Sequence, residues 1–242
     1  MNTKNLILFF LCTIITISTH TTEQCKELTQ GILIAIEGID GAGKTTLIKI
    51  VNTLLREEGF STIITKEPGD TPVGKQIREI LINQTTPMNY CTEYLLFAAD
   101  RAQHFVEVII PALQENKIVI SDRLADSSLA YQGYGRHLSL EMIRTINAWA
   151  MNGRTPDITI FVHIPVKTAL ERCRKRSALI DAFEHEALLN DVAHGFEDIY
   201  KNRTDVFIVD GTKPREERSR EVYTIIKQWI EDKQLIKHNI ID

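Results

Sequence analysis

Four residues set out the first chemistry. Gly38, Gly43, Lys44 and Thr45 follow the spacing G-x-x-x-x-G-K-[ST]. The loop interior is Ile39, Asp40, Gly41 and Ala42, and Thr46 follows it. Glycines let a backbone curl until successive N–H groups point at one anion. A helix opening just behind adds the positive end of its dipole. In such a loop Lys44 reaches the β- and γ-phosphates of ATP and the Thr45 hydroxyl serves Mg²⁺. A glycine-rich turn of no function would need neither the lysine nor the hydroxyl.

A phosphate donor needs an acceptor. Lys66, Arg101 and Arg123 are the basic residues placed where a second phosphate could be clamped. Phe97 stands four residues before Arg101, so on a helix the two share a face. An aromatic ring beside a guanidinium suits a nucleobase, the ring stacking and the arginine donating. A core phenylalanine beside a surface arginine would leave the same trace.

The elements that must position these groups are legible in the hydrophobic pattern. Ile32 to Ile36 is an apolar run ahead of the glycine loop, and apolar residues at Leu47, Ile50, Val51, Leu54 and Leu55 mark a helix behind it. Further strands are expected at 61–65, 118–121, 158–162 and 206–209. Helices are expected at 72–82, 93–115 with Thr92 as cap and a bend near Pro111, near 127–132, at 139–151 with Ser139 as cap, and at 166–176, 187–201 and 215–232. Short apolar strands alternating with helices demand an α/β fold: a five-stranded parallel sheet with helices on both faces. Ligands then bind beyond the carboxyl ends of the strands. A glycine or charged motif follows each of the first four.

Bulk properties exclude several classes. The 242 residues carry a net charge of −4, so no overall basic field invites nucleic acid. Cys12, Cys25, Cys91 and Cys173 lie far apart with no zinc spacing, and suggest reduced thiols. Residues 31–242 read as one domain. Residues 1–30 are set apart: Lys4 precedes an apolar run from Leu6 to Ile17, too short to span a bilayer comfortably. An export or anchoring signal, a start codon assigned upstream and a packing extension all fit. A cytoplasmic location is expected for the core, where ATP is available.

The chain resembles the thymidylate kinases. Four stretches carry the resemblance: IEGIDGAGKTT (36–46), EPGDTP (67–72), LLFAADRAQH (95–104) and SDRLADSSLAYQGYGR (121–136). It implies a three-layer P-loop NTPase fold with a short basic lid, a homodimer, and phosphorylation of dTMP to dTDP by ATP, a step in dTTP synthesis. Phe97 would then stack on thymine and Arg101 would donate to its carbonyl edge. Ser128 and Gln132 would lie near the base. Tyr131 would stand where a ribose 2′-hydroxyl would clash. Asp40 would look to the acceptor's 3′-hydroxyl. The Asp122–Arg123 pair would face the acceptor phosphate, with Asp122 beside the metal. The P-loop interior holds no arginine, so a lid arginine, Arg174 or Arg176, is expected to complete the charge around the transferred group.

Five residues depart from that pattern. Lys66 replaces an arginine, Asp70 a glycine, Leu124 a tyrosine, His163 an aspartate and Ala182 a lid arginine. Together they suggest weakened phosphate contacts. They keep two other readings in play: a nucleotide or deoxynucleoside kinase with drifted acceptor choice, and a nucleotide-binding protein without turnover.

Overall fold

The computed structural model describes residues 26–82, 87–175 and 182–237. Five strands form one sheet in the order β2-β3-β1-β4-β5: β1 (Ile32–Glu37), β2 (Thr62–Lys66), β3 (Ile118–Asp122), β4 (Ile158–His163) and β5 (Val206–Asp210). Every pairing is parallel. All five expected strands are present, each running one residue further toward its carboxyl end than the apolar pattern gave. That extra residue is polar, in turn Glu37, Lys66, Asp122, His163 and Asp210 in the strands' own order β1, β2, β3, β4, β5. Hydrophobicity ends where the functional edge of the sheet begins.

Period-two alternation divides the core. Ile32, Ile34 and Ile36 of β1 pack into one layer with Leu47, Val51 and Leu55 of α1 (Lys44–Glu57) and Val222, Ile226 and Ile230 of α9 (Arg215–Asp232). Leu33 and Ala35 face the opposite layer, against Phe105, Ile109 and Leu113. Each of these large apolar side chains stabilises the fold by about 1.5–3 kcal/mol on burial. The other helices are α2 (Pro72–Ile82), α3 (Tyr90–His104), α4 (Ile110–Gln114), α5 (Ala125–Ser128), α6 (Leu140–Ala150), α7 (Val166–Arg174) and α8 (Ala182–Tyr200).

Three expectations are corrected. The cap of α3 is Asn89, whose side chain accepts from the Cys91 N–H at 2.8 Å, and not Thr92. The long helix is not uniform: a π-helical stretch, Phe105–Ile109, joins α3 to α4. Pro111 lacks an N–H, and a locally wider turn accommodates it. A second π-helical stretch, Leu129–Tyr134, continues α5. Lastly, residues 26–30 were expected outside the core, yet Leu28 is 2% exposed within it. Lys26 bridges to Phe60 and Leu28 to Ile236. One leucine in a polar stretch carries no periodic signal. Residues 1–25, and the apolar run in them, lie outside the described residues.

Candidate active site

The glycine loop leaves β1 and enters α1 through Gly43, whose φ of 86° is left-handed. At Gly41 (φ 89°) an added Cβ would meet the Ala169 carbonyl oxygen at 2.4 Å, so α7 closes the loop from outside. Lys44 is 7% exposed and donates to the carbonyls of Gly38 (2.8 Å) and Ile39 (3.1 Å). Burial and the neighbouring Arg123 pull its ammonium down to about 8. Its head thus rests across the mouth of the loop, held by acceptors weaker than a phosphate.

The Thr45 hydroxyl donates to Asp122 Oδ2 at 3.0 Å. A hydroxyl and a carboxylate converging from α1 and the end of β3 are hard oxygen donors, which fit Mg²⁺. Such an ion takes one or two protein oxygens and completes its shell with phosphates and water.

Arg123 follows directly on β3. Its φ of 75° is unusual for a side-chain-bearing residue. Ser121 Oγ donates to its carbonyl at 2.7 Å, and Glu37 pins the next turn by accepting from Leu124 N (2.8 Å) and Ser127 Oγ (2.6 Å). Burial, helped by the Asp126 charge, pushes the Glu37 carboxyl up to about 7. Held this way, Arg123 donates to Gly38 O (3.1 Å), Ser127 Oγ (2.9 Å) and Asp40 Oδ1 (2.7 Å). Its guanidinium lies over the Tyr131 ring, 5.0 Å from the centroid. The Tyr131 hydroxyl donates to Asp40 Oδ2 (3.2 Å) and accepts from the Asp40 N–H (3.1 Å). Burial would raise the Asp40 carboxyl, but the Arg123 and Lys44 charges prevail and hold it at about 2.

A cavity of about 260 Å³ opens beside this cluster. Asp40, Arg123 and Tyr131 of the cluster line it, together with Phe97, Arg101, Ser128, Gln132, Glu67 and Arg78. Phe97 is half-buried on the cavity wall, not lost in the core. Arg101 is 2% exposed, and its donors are all engaged. Nε bonds Glu67 Oε2 (2.8 Å). Nη1 reaches Ser128 Oγ (3.1 Å) and Asn147 Oδ1 (2.7 Å). Nη2 reaches Leu124 O (3.2 Å) and Glu67 Oε2 (2.8 Å). A guanidinium has five N–H groups, so contact with a base carbonyl would require one of these bonds to be shared or exchanged. Gln132 donates to Glu93 Oε1 at 3.0 Å.

Not every candidate converges. Lys66 is exposed at the end of β2 and does not line the cavity. Arg78 of α2 does, with Nη1 on the Pro68 carbonyl at 2.9 Å. Helical periodicity makes Arg78 an ordinary polar-face residue, so the pattern gave no cue to it. Glu67 was readable only as part of a turn. Arg174 is exposed in the last turn of α7; Arg176 and the side chain of Ala182 lie outside the described residues.

Comparison with known proteins decides the family. The family model described as "Thymidylate kinase" matches residues 36–222. The chain belongs to the thymidylate kinase family. A thymidylate kinase of Halothermothrix orenii is 42% identical over 202 residues, covering 82% of this chain and 97% of its own. One from Thermoanaerobacter sp. strain X514 is 37% identical over 83% of this chain and its own full length. Another, from Geobacillus sp. strain WCH70, is 42% identical over 78% of this chain and 92% of its own. As a member of the thymidylate kinase family the chain is a phosphotransferase. Among the described residues, no helix is long and apolar enough to cross a membrane.

Proposed function

We propose that this enzyme transfers the γ-phosphoryl group of ATP to the phosphate of dTMP, giving dTDP for dTTP synthesis. One observation carries the reading beyond family membership. Asp40 and Arg123 belong to two places at once, the edge of the glycine loop and the lining of the cavity. A mononucleotide with its base against Phe97 would therefore present its phosphate to the residue that touches Gly38.

The acceptor phosphate is itself the nucleophile and is ionised at neutral pH, so the step needs alignment and charge stabilisation rather than a strong base. Arg123 would hold the acceptor phosphate, and Arg78 adds a second cation to the cavity in place of the exposed Lys66. Lys44 would exchange its two carbonyl contacts for the β- and γ-phosphates. Thr45 and Asp122 would hold Mg²⁺, which when bound neutralises charge on the transferring group. Arg174, in the last turn of α7, or Arg176 would supply the further arginine that completes the charge around the transferred group. Tyr131, clamped by Asp40 and Arg123, makes a rigid wall suited to rejecting a ribose 2′-hydroxyl.

A homodimer and a cytoplasmic location complete the proposal. Val73 and Ile80 of α2 and Leu95 of α3 are each about half exposed, and such an apolar surface suits a second copy. A supply of ATP favours the cytoplasm.

The test is phosphate transfer from labelled ATP to dTMP, dUMP and thymidine. Transfer to dTMP should dominate and thymidine should accept none. Phosphorylation of thymidine without dTMP would overturn the reading.

A further inference from the structure

Behind the glycine loop lies an arrangement that the transfer chemistry above leaves unused. Arg218, in the first turns of α9, is 3% exposed. Its Nη1 donates to the carbonyls of Ala42 (3.3 Å) and Gly211 (2.7 Å), and its Nη2 to that of Gly43 (3.5 Å). The fit is close: a Cβ on Gly43 would meet Nη2 at 3.0 Å. Arg172 of α7 approaches from the side, with Nη1 on Gly41 O (3.5 Å) and on the same Gly211 O (3.0 Å). Three consecutive loop carbonyls, 41 to 43, thus accept from guanidinium groups.

Two features need explaining. First, Arg218 forms no ion pair among the described residues, and its buried Nε has no hydrogen-bond partner. Of the charges acting on it, the Arg172 cation opposes its own more strongly than the exposed Asp210 carboxylate favours it. A buried cation without a counter-charge is costly. Second, the peptides it grips are those whose other ends matter. The Ala42 carbonyl shares a peptide unit with the Gly43 N–H, and the Gly43 carbonyl with the Lys44 N–H. Neither N–H is spent within the loop, whereas that of Ala42 bonds Ile39 O at 3.2 Å. Cationic donation to a carbonyl polarises the peptide and strengthens donation from its N–H.

We propose that Arg218 is a positioning residue for the triphosphate, acting through the Ala42–Gly43 and Gly43–Lys44 peptides, with the bound phosphates as its missing counter-charge. Arg172 adds to the same field. A strut that merely held the loop in shape would not need a charge, and an uncharged donor would cost less to bury. The proposal rests on the reading of residues 38–45 as the triphosphate cradle.

Binding of ATP, adenosine and dTMP to the full chain, measured calorimetrically alongside Tm, tests it. Arg218→Gln keeps a donor and loses the charge; it should weaken ATP about tenfold and leave adenosine and dTMP unchanged. Arg218→Lys keeps the charge and should stay within about threefold for ATP. Should the Gln chain not fold, Arg218→Met takes its place with the same expectation. A folded Gln or Met variant that binds ATP like the wild type would overturn the proposal. So would equal loss of ATP, adenosine and dTMP, which is the mark of a structural strut. Lys44→Ala separates the underlying reading: if it too binds ATP normally, the cradle itself is misassigned and the role of Arg218 falls with it.

Discussion

Glu67 and Arg101 meet in a buried ion pair, with one carboxylate oxygen 2.8 Å from both Nε and Nη2. The other oxygen lies 3.0 Å from His104 Nδ1, and His104 Nε2 contacts Thr65 Oγ1, which itself donates to Asp70 at 2.6 Å. One connected polar network therefore runs from the loop after β2 to the wall of the cavity. Asp70 takes a place in it.

That network makes Glu67 a support for the cavity wall. Removing one partner of a buried pair strands the other charge, at a cost of about 3–5 kcal/mol. Glu67→Ala should lower stability by that order in a denaturant titration. In whatever fraction remains folded, the KM for dTMP should rise while that for ATP holds. An unchanged KM for dTMP would separate Arg101 from acceptor binding.

Lys44 sets a pH dependence for ATP. Its folded pKa of about 8 lies below the ordinary 10.5, and phosphate binding requires the cation. Lys44 itself should contribute no pH dependence to ATP affinity below pH 8. Above it, affinity should weaken by up to about tenfold per unit until the ordinary value is reached. Calorimetry at several pH values checks this, with dTMP affinity as the control that should not follow the same curve.

Glu37 acts on stability in the opposite sense to a paired carboxylate. Its folded pKa of about 7 exceeds the ordinary 4.5. Between those values the folded chain binds a proton that the unfolded chain has released, so this group's contribution falls as pH rises through the window. Glu37→Gln keeps the shape without the charge. The variant should lose this component of the pH dependence, visible as a flatter stability profile from pH 5 to 7.

Leu28 tests where the folded domain starts. Its side chain is 2% exposed, so Leu28→Ala should cost about 2–5 kcal/mol in a denaturant titration. A surface-like value, below about 0.5 kcal/mol, would place residues 26–30 outside the core after all.

The fold was legible because each strand is an apolar run bounded by charge, and because α1 and α9 keep a helical stripe. The second layer was less so. Nothing in a hydrophobic pattern shows that Pro111 is absorbed by a π-helical stretch, or that Asn89 caps the helix three residues before the expected cap. At the site, spacing exposed the glycine loop and the Phe97–Arg101 pair, since both are local in sequence. Glu37, Glu67, Arg78 and Arg218 were not visible. Their roles come from contacts across tens of residues or more, which only the folded chain brings together. Even for Arg101 the sequence showed the group and not its engagement: five donors already facing protein.

The central claim is that a monophosphate and a triphosphate occupy separate sites joined by Asp40 and Arg123. Calorimetric titration of dTMP and of ATP into wild type, Phe97→Ala and Lys44→Ala tests it most directly. Loss of Phe97 should weaken dTMP by about tenfold or more, from lost stacking and burial, with ATP unaffected; loss of Lys44 should do the reverse. If Phe97→Ala binds dTMP as tightly as the wild type, the cavity is not the acceptor site and the account is contradicted.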